Sequence, residues 1–273
     1  MSVDSKYSPN VHEADCLVLS NETLSGDYRL MILRAPVRIL DCAPGQFFHL
    51  LCPSHGPNQP YLRRPMSIYG YDMAREELQF LYKVTGEGTR GLASLLPGQS
   101  LNVLGPLGRG FTIRDDWQNL LLVARGVGLA TLAPLAQEAR RLGRNLTAIC
   151  SARAPEYLMS VDHFTGLGAR VITVTDTEGT SGIDNMRRII EGEIAGQGVD
   201  AMYTCGSNRL LTLLQAVQGE HAIPGEIALE QQMACGLGMC QCCVRSFRRE
   251  GRIIHERVCR EGPVFDIAEA MAW

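Results

Sequence analysis

The sequence predicts a β plus α/β fold: an antiparallel six-stranded barrel, then a parallel-sheet α/β domain, then a small cysteine-rich C-terminal module. Three observations predict it. Short segments rich in Leu, Ile, Val, Tyr and Phe, separated by Gly and Pro turns, fill residues 15–113. From residue 119 onward, apolar runs alternate with helical segments. Four cysteines between residues 235 and 259 have the spacing of metal ligands. We therefore expect domains at 1–114, 115–225 and 226–273.

In the barrel, apolar segments separated by turn residues predict six strands, at 16–20, 28–34, 46–51, 66–71, 77–84 and 100–104. Short strands at this spacing favour an antiparallel barrel over a parallel sheet. A short helix is expected over residues 90–96, where it ends at a Pro-Gly pair.

In the α/β domain, buried strands are predicted at 120–123, 146–151, 170–175 and 201–205, and helices at 129–142, 155–164, 184–194 and 209–218. Ligands of such sheets bind beyond the carboxyl ends of the strands. Gly126 and Gly128 follow the first strand, where backbone amides can reach a pyrophosphate, and Cys205 and Gly206 end the last, where a nicotinamide can dock. An ordinary strand-to-helix turn is the alternative interpretation of the first loop.

Length and composition are those of a globular protein. The chain has 273 residues, 45% of them hydrophobic and 20% charged. Its formal net charge of −3 gives no electrostatic reason to bind nucleic acid or an anionic membrane. Residues 1–15 lack the apolar core of a signal peptide, and Arg125 and Pro134 interrupt the most apolar stretch, 119–136. We predict a cytoplasmic protein.

Four cysteines follow the pattern C-x4-C-x2-C-x15-C: Cys235, Cys240, Cys243 and Cys259. This is the spacing of plant-type [2Fe–2S] clusters. Gly236 and Gly238 let the loop bend and leave backbone N–H groups free to face the sulfurs. Zinc also accepts four cysteines, although zinc ribbons usually carry two C-x2-C pairs. Structural zinc and unligated thiols therefore remain alternatives, and Cys242 is expected to point elsewhere.

The six histidines show no metal spacing, and we expect them to be surface or satisfied polar residues: His12, His49, His55, His163, His221 and His255.

Three stretches of the barrel suit a flavin nucleotide. Arg64 can clamp a phosphate with two hydrogen bonds, Ser67 can bond to a flavin edge, and Tyr69 offers an aromatic face. Glycines at 86 and 88 precede a helix start, where exposed N–H groups receive anions. A glycine-rich turn at 105–110 then leads out of the barrel. Each stretch alone is typical of a surface turn, and their order along the chain strengthens the interpretation.

With these residues assembled, the chain resembles the ferredoxin-reductase superfamily over nearly its whole length. Within it, the chain is most similar to the electron-transfer subunits of two-subunit, NAD-dependent dihydroorotate dehydrogenases. The resemblance rests on Arg64-Pro65-Met66-Ser67, Gly126-Val127-Gly128, Cys205-Gly206-Ser207, the cysteine run 235–243 and the segment around Cys259.

The resemblance implies three cofactors, which are FAD, a [2Fe–2S] cluster and NAD(H) or NADP(H), together with a catalytic oxidoreductase subunit as partner. By resemblance, FAD contacts fall on Arg64, Pro65, Met66, Ser67, Leu81, Tyr82, Lys83, Gly88 and Thr89. Nucleotide contacts fall on Gly126, Gly128 and Gly206, with Cys205 as a candidate on the nicotinamide side. The cluster ligands fall on Cys235, Cys240, Cys243 and Cys259. Electrons then pass from the nucleotide through FAD and the cluster to the partner, or in reverse.

Two departures from the family pattern lie in the nucleotide half. Ala124-Arg125 stands where the family has additional glycines, so the Arg125 side chain either obstructs a pyrophosphate or contacts it. Ser207 stands where the family has Pro, and Arg153, not an acid, follows the second strand.

These departures leave open whether the protein uses NADH, NADPH or no nucleotide. The sequence also leaves open which partner it has and in which direction electrons flow. The alternatives are a reductase subunit of the ferredoxin:NADP transhydrogenase or sulfhydrogenase type, and a non-redox module held by zinc.

Overall fold

The computed structural model describes residues 11–57 and 59–272. The ends of the first and last predicted domains, residues 1–10 and Trp273, lie outside the described residues. The chain divides into two compact units. The first runs to Gly110 and includes Gln231–Val244 and Arg257–Pro263; the second comprises Phe111–Glu230, Arg245–Glu256 and the residues from Val264 onward. The C-terminal residues thus contribute to both units.

The first unit contains an antiparallel sheet. Its elements are β1 (His12–Ser25), β2 (Tyr28–Arg34), β3 (Phe47–Leu50), β4 (Arg64–Ser67), β5 (Gly70–Asp72), β6 (Glu77–Lys83), α1 (Glu87–Ala93) and β7 (Ser100–Leu107). The strand order in the sheet is β4-β3-β7-β1-β2-β6-β5. The antiparallel architecture is confirmed, with seven strands instead of six. The predicted strand at 66–71 divides because Ile68 N–H bonds to the β3 side, at Gln46, while Tyr69 N–H bonds to Gln79 on β6.

Inside this sheet, alternate residues of the strands form an apolar core in which the rings of Phe48 and Phe80 meet edge to face at 5.9 Å. Asn21 connects the core to the helix. It accepts a hydrogen bond from the buried Tyr82 hydroxyl at 2.9 Å and donates to the carbonyls of Leu92 and Leu95. These bonds satisfy the buried amide and fix the end of α1 against the sheet.

The second unit is built on a largely parallel sheet. Its elements are β8 (Asn119–Arg125), α2 (Gly128–Arg141), β9 (Asn145–Ala152), α3 (Val161–Gly166), β10 (Arg170–Thr175), α4 (Ile183–Gly196), β11 (Ala201–Cys205), α5 (Asn208–His221) and β12 (Gly225–Ala228). A hairpin of β13 (Val244–Arg249) and β14 (Arg252–Arg257) follows, and β15 (Val264–Asp266) pairs antiparallel with β12. The strand order in the sheet is β10-β9-β8-β11-β12-β15. The predicted parallel sheet is confirmed.

The second unit differs from the prediction in one helix and in four strands. The helix expected over 155–164 is interrupted: Pro155–Tyr157 forms a 3-10 turn, Leu158 is extended, and α3 begins only after Ser160, which has a φ of 61°. Strands β12 to β15 were not predicted; β12 and β15, of four and three residues, are too short to show a periodicity. Within the described parts of the chain, no helix is long and apolar enough to cross a membrane.

Candidate redox centre and nucleotide site

The four predicted cluster ligands lie on two segments of the first unit, with Cys259 on the second segment and the other three on the first. Backbone hydrogen bonds link them in two pairs: the N–H of Cys240 donates to Cys235 Sγ, and that of Cys259 donates to Cys243 Sγ. Two pairs suit a binuclear cluster, in which each iron takes two cysteines, whereas one zinc ion needs four sulfurs around a single point. The donor set therefore fits a [2Fe–2S] cluster.

Backbone N–H groups point at these sulfurs. Those of Leu237 and Cys240 donate to Cys235 Sγ, and that of Cys259 donates to Cys243 Sγ, each at 3.4 Å. Partial burial raises the pKa of Cys235, but the bonds from Cys240 and Leu237 outweigh it and lower the pKa to about 6. A thiolate is the form that binds metal, so the loop prepares its first ligand for iron.

Arg257, which the sequence reasoning missed, holds the two segments together. Its Nη1 donates to the carbonyl of Gly238 at 2.9 Å, and its Nε donates to Glu261 Oε2 at 3.0 Å. Gly238 also lies against the Arg260 side chain, where a Cβ would come within 2.5 Å of Cδ. The sequence did contain a signal for this role: Arg257 and Glu261 lie four positions apart on either side of Cys259, a spacing that favours an ion pair.

The segment after Cys259 is anchored to the glycine-rich turn at 105–110. Arg109 N–H donates to the Gly262 carbonyl at 2.6 Å, and a Cβ at Gly108 would lie 2.6 Å from the same oxygen. Gln46 Nε2 donates to the Gly108 carbonyl. The turn therefore has to be glycine because the ligand segment approaches its backbone directly.

The flavin motif forms β4, an edge strand paired only with β3, and all four of its residues are partly exposed. Gly88, in the first turn of α1, lies against the Arg64 side chain: a Cβ there would be 2.8 Å from Arg64 Nε. Arg64 also donates from Nη1 to the Leu62 carbonyl. A guanidinium held beside a helix start, with room made by a glycine, fits a phosphate of FAD.

The remaining predicted FAD residues divide by exposure. Leu81 and Tyr82 are buried in the sheet, so only their main chains can be offered to a ligand, whereas Lys83 is exposed beside the Tyr28 ring. The Thr89 hydroxyl accepts from the N–H groups of Thr85 and Gly86 and caps α1.

In the second unit, the glycines at the carboxyl ends of the neighbouring strands β8 and β11 have distinct roles. Gly126 and Gly206 have φ values of +56° and +76°, and a Cβ at either would meet no atom within 4 Å. Gly128 is packed instead: a Cβ there would lie 2.8 Å from the carbonyl oxygen of Cys205. Open glycines beside a close helix–strand contact fit the division of roles in dinucleotide-binding turns.

Arg125 extends along the sheet edge. Its Nη1 and Nη2 donate to the two carboxylate oxygens of Asp176 at 3.0 and 2.6 Å, and Nη1 also donates to Ser151 Oγ at 3.1 Å. Hydrogen bonds from Arg125 and then Ser181 lower the pKa of Asp176 to about 2. The second strand of this domain, β9, is not followed by an acidic residue, but the third, β10, is followed by Asp176. The Asp176 carboxylate balances the positive charge of Arg125.

Cys205 ends β11 with a side chain that is 1% exposed and packs with Ala228 and Val264. Burial is the larger cause and the nearby charge of Glu230 the smaller cause of a raised pKa at Cys205, which is about 12. A hydrogen bond with Thr131 opposes this shift and is too weak to cancel it. Its thiol is therefore neutral, and this environment favours packing over a catalytic role.

One further group of potential metal ligands occurs among the described residues, at Glu191, Glu220 and His221. Arg187 forms ion pairs with both glutamates, and His221 Nε2 lies 2.8 Å from Glu191. These contacts describe an ion-pair network between α4 and α5.

The cysteine-rich segment matches a family model described as the iron-sulfur cluster binding domain of dihydroorotate dehydrogenase B, over residues 230–270. Among solved structures, one described as an NADH-dependent reduced ferredoxin-NADP oxidoreductase aligns with a TM-score of 0.77 and 25% identity, covering 94% of this chain and 90% of that one. A phthalate dioxygenase reductase aligns at 0.63 and 18% identity over 91% of this chain and 77% of its own length, which shows the fold alone.

Curated relatives match over most of their length. The electron transfer subunit of dihydroorotate dehydrogenase B (NAD(+)) of Desulforamulus reducens is 31% identical over 92% of this chain and 95% of the relative. The subunit of the same name from Caldanaerobacter subterraneus is 34% identical over 84% and 87%, and that of Bacillus cereus 33% over 93% and 96%. The chain therefore belongs to the family of electron transfer subunits of dihydroorotate dehydrogenase B.

Proposed function

We propose that this protein is an electron-transfer subunit that carries electrons between a pyridine nucleotide and a catalytic partner subunit, as in dihydroorotate dehydrogenase B. The observation that carries the proposal is the set of four cysteines in two pairs, in the same unit as the flavin motif. The functional parts are a FAD domain at 1–114, a nucleotide domain at 115–225 and a cluster module at 226–273.

FAD exchanges electron pairs with a nicotinamide, and an iron-sulfur cluster exchanges single electrons. The chain itself supplies the binding and the electrostatics. Arg64 binds a FAD phosphate, Pro65 to Ser67 border the flavin, and the backbone of β6 and the first turn of α1 complete the site. The N–H groups directed at Cys235 and Cys243 stabilise the negative charge of the ligand sulfurs.

The flavin motif and the cluster loop are connected through one strand. β3 pairs with β4, which carries the motif, and its residue His49 lies against Gly236 of the cluster loop. A rigid strand shared by two cofactor sites keeps their separation constant, as electron transfer requires.

The second unit binds the nucleotide, NAD(H) or NADP(H), at Gly126, Gly128 and Gly206. The open space beside Gly126 and Gly206 leaves room for it, and α2 begins at Gly128 without a side-chain cap. Arg125, held by Asp176, leaves the glycine turn accessible.

The partner is a catalytic oxidoreductase subunit, and the assembly works in the cytoplasm. The curated relatives are named as subunits of a larger enzyme. None of the ten cysteines forms a disulfide, which suits a reducing compartment. The second candidate is a reductase subunit of the ferredoxin:NADP transhydrogenase type, favoured by the 0.77 TM-score of the ferredoxin-NADP oxidoreductase over both chains.

The test is the visible spectrum of the anaerobically purified protein, recorded before and after NADH, NADPH and dithionite. Flavin and [2Fe–2S] absorption that one nucleotide bleaches supports the proposal and identifies the donor. Bleaching by dithionite alone would exclude the nucleotide as donor. A protein that stays colourless after reconstitution with FAD, iron and sulfide, or that binds one zinc, contradicts the proposal.

A further inference from the structure

His49 is a buried polar residue whose imidazole group has no assigned role in the proposed function. It lies in β3 with 1% of its surface exposed, and its Nε2 atom has no hydrogen-bond partner among the described residues. Sequence reasoning expected a surface or satisfied histidine, and that expectation is wrong for this residue. An unsatisfied buried nitrogen destabilises the fold, so a structural role alone does not explain it.

The side chain of His49 points away from the core of the sheet. Successive residues of a strand face opposite sides. Phe48 and Leu50 belong to the apolar core, so Phe47 and His49 face the other side, although both are buried. On that side lies the cluster loop.

Contact between His49 and this loop is close and directed. A Cβ at Gly236 would lie 2.8 Å from Nε2 and 2.9 Å from Cε1, so the Nε2 end of the ring faces the residue next to the ligand Cys235. Position 236 favours glycine for two reasons: its φ of +69° is strained for other residues, and a Cβ there would collide with the His49 ring. The loop is shaped to admit the imidazole.

The imidazole carries at least one N–H in either of its protonation states. Beside a group of thiolates the tautomer with the proton on Nε2 is favoured, because the N–H then faces negative charge.

We propose that His49 is a positioning residue whose Nε2–H donates a hydrogen bond to a sulfur of the [2Fe–2S] cluster on the Cys235 side. This inference rests on the proposed function. Hydrogen bonds to cluster sulfurs stabilise the added negative charge of the reduced form and raise the reduction potential. His49 thus fixes the loop against β3 and makes the cluster a better electron acceptor.

The test is an anaerobic redox titration of the full chain reconstituted with FAD, iron and sulfide, with the cluster followed by electron paramagnetic resonance. His49→Leu removes the donor and is expected to shift the midpoint potential to a more negative value. His49→Gln places an amide N–H at a similar reach and is expected to stay near the wild-type potential. His163→Leu, at a partly buried histidine of α3, is the matched control and leaves the potential unchanged.

If His49→Leu destabilises β3, a second pair of variants tests the same contact from the loop side. Gly236→Ala pushes the loop off the imidazole and is expected to shift the potential in the same direction. Gly251→Ala introduces the same backbone strain, at φ +75°, where a Cβ meets nothing within 4 Å, and leaves the potential unchanged. In a His49→Ala background, Gly236→Ala adds little further shift, because the two changes remove one contact.

Equal potentials for wild type, His49→Leu and His49→Gln would overturn the inference. The hydrogen-bond partner of Nε2 would then be an ordered water. So would fully additive shifts in the double variant. In both cases the proposed function survives, since the cluster is present. Wild-type protein that binds no iron after reconstitution overturns the proposed function itself.

Discussion

Two glycine turns of this protein have the same backbone conformation and opposite surroundings. Gly236 in the cluster loop and Gly126 in the nucleotide turn both have positive φ, at +69° and +56°. Gly236 lies against the His49 ring, whereas a side chain at Gly126 would meet nothing within 4 Å. A packed glycine indicates a loop that the protein itself holds in place, and an open one indicates room left for a ligand.

The arginines near these turns differ in the same way. Arg257 donates to the backbone of the cluster loop at Gly238, so it supports the ligands directly. Arg125 pairs with Asp176 and bonds to Ser151, and donates to none of the glycine residues of its own turn. We therefore expect changes at the cluster to have larger effects than changes at the nucleotide turn.

The largest effect is expected for Cys259→Ser. Loss of one of four ligands should abolish [2Fe–2S] assembly, so iron content and visible cluster absorption fall close to zero while the flavin signal remains. The matched control is Cys242→Ser, at an exposed cysteine next to a ligand. Loss of iron in the control as well would show that the ligand set is assigned wrongly.

Arg257→Leu should release iron to a chelator roughly tenfold faster, because residues that orient metal ligands contribute about 10–100-fold to metal retention. The variant loses the bonds to Gly238 and Glu261 that join the two ligand segments. Arg252→Leu, at the exposed start of β14, serves as control. Identical release rates in all three proteins would remove Arg257 from the cluster support.

Gly128→Ala should destabilise the second unit by about 1–3 kcal/mol, the usual cost of overpacking a tight contact. The new Cβ would lie 2.8 Å from a backbone oxygen, that of Cys205, which cannot move aside easily. Gly192→Ala in α4 meets open space and should be neutral or stabilise by about 0.5–1 kcal/mol. Urea unfolding of both variants measures the difference, and equal midpoints would contradict the close approach of α2 to β11.

The smallest effect is expected for Asp176→Asn, which frees the Arg125 guanidinium to contact a phosphate. The ratio of NADPH to NADH affinity should rise by about fivefold, the size of an exposed charge contact. Asp162→Asn, an exposed acid of α3, should leave the ratio unchanged. A ratio that is also unchanged in Asp176→Asn would place Arg125 away from the bound nucleotide.

The pH dependence of the wild type sharpens this prediction. The pKa of Asp176 is lowered to about 2, so the pair with Arg125 is complete above the ordinary aspartate pKa and is lost only as pH falls through about 2. Isothermal titration between pH 5 and 8 should therefore show no change in NADPH preference from this group. A change in that range would mean that Asp176 is not held by Arg125 when nucleotide is present.

The sequence by itself determined the order of the parts, the alternation of strands and helices, and the four cysteines of the cluster. These are local properties, because a hydrophobic periodicity or a ligand spacing can be recognised within a short stretch of sequence. The tertiary structure alone decided which side chains meet across long separations. His49 and Gly236 lie 187 positions apart in the numbering, and Arg125 and Asp176 are separated by 51. Such contacts depend on strand order and on the direction of each side chain, which no local pattern specifies.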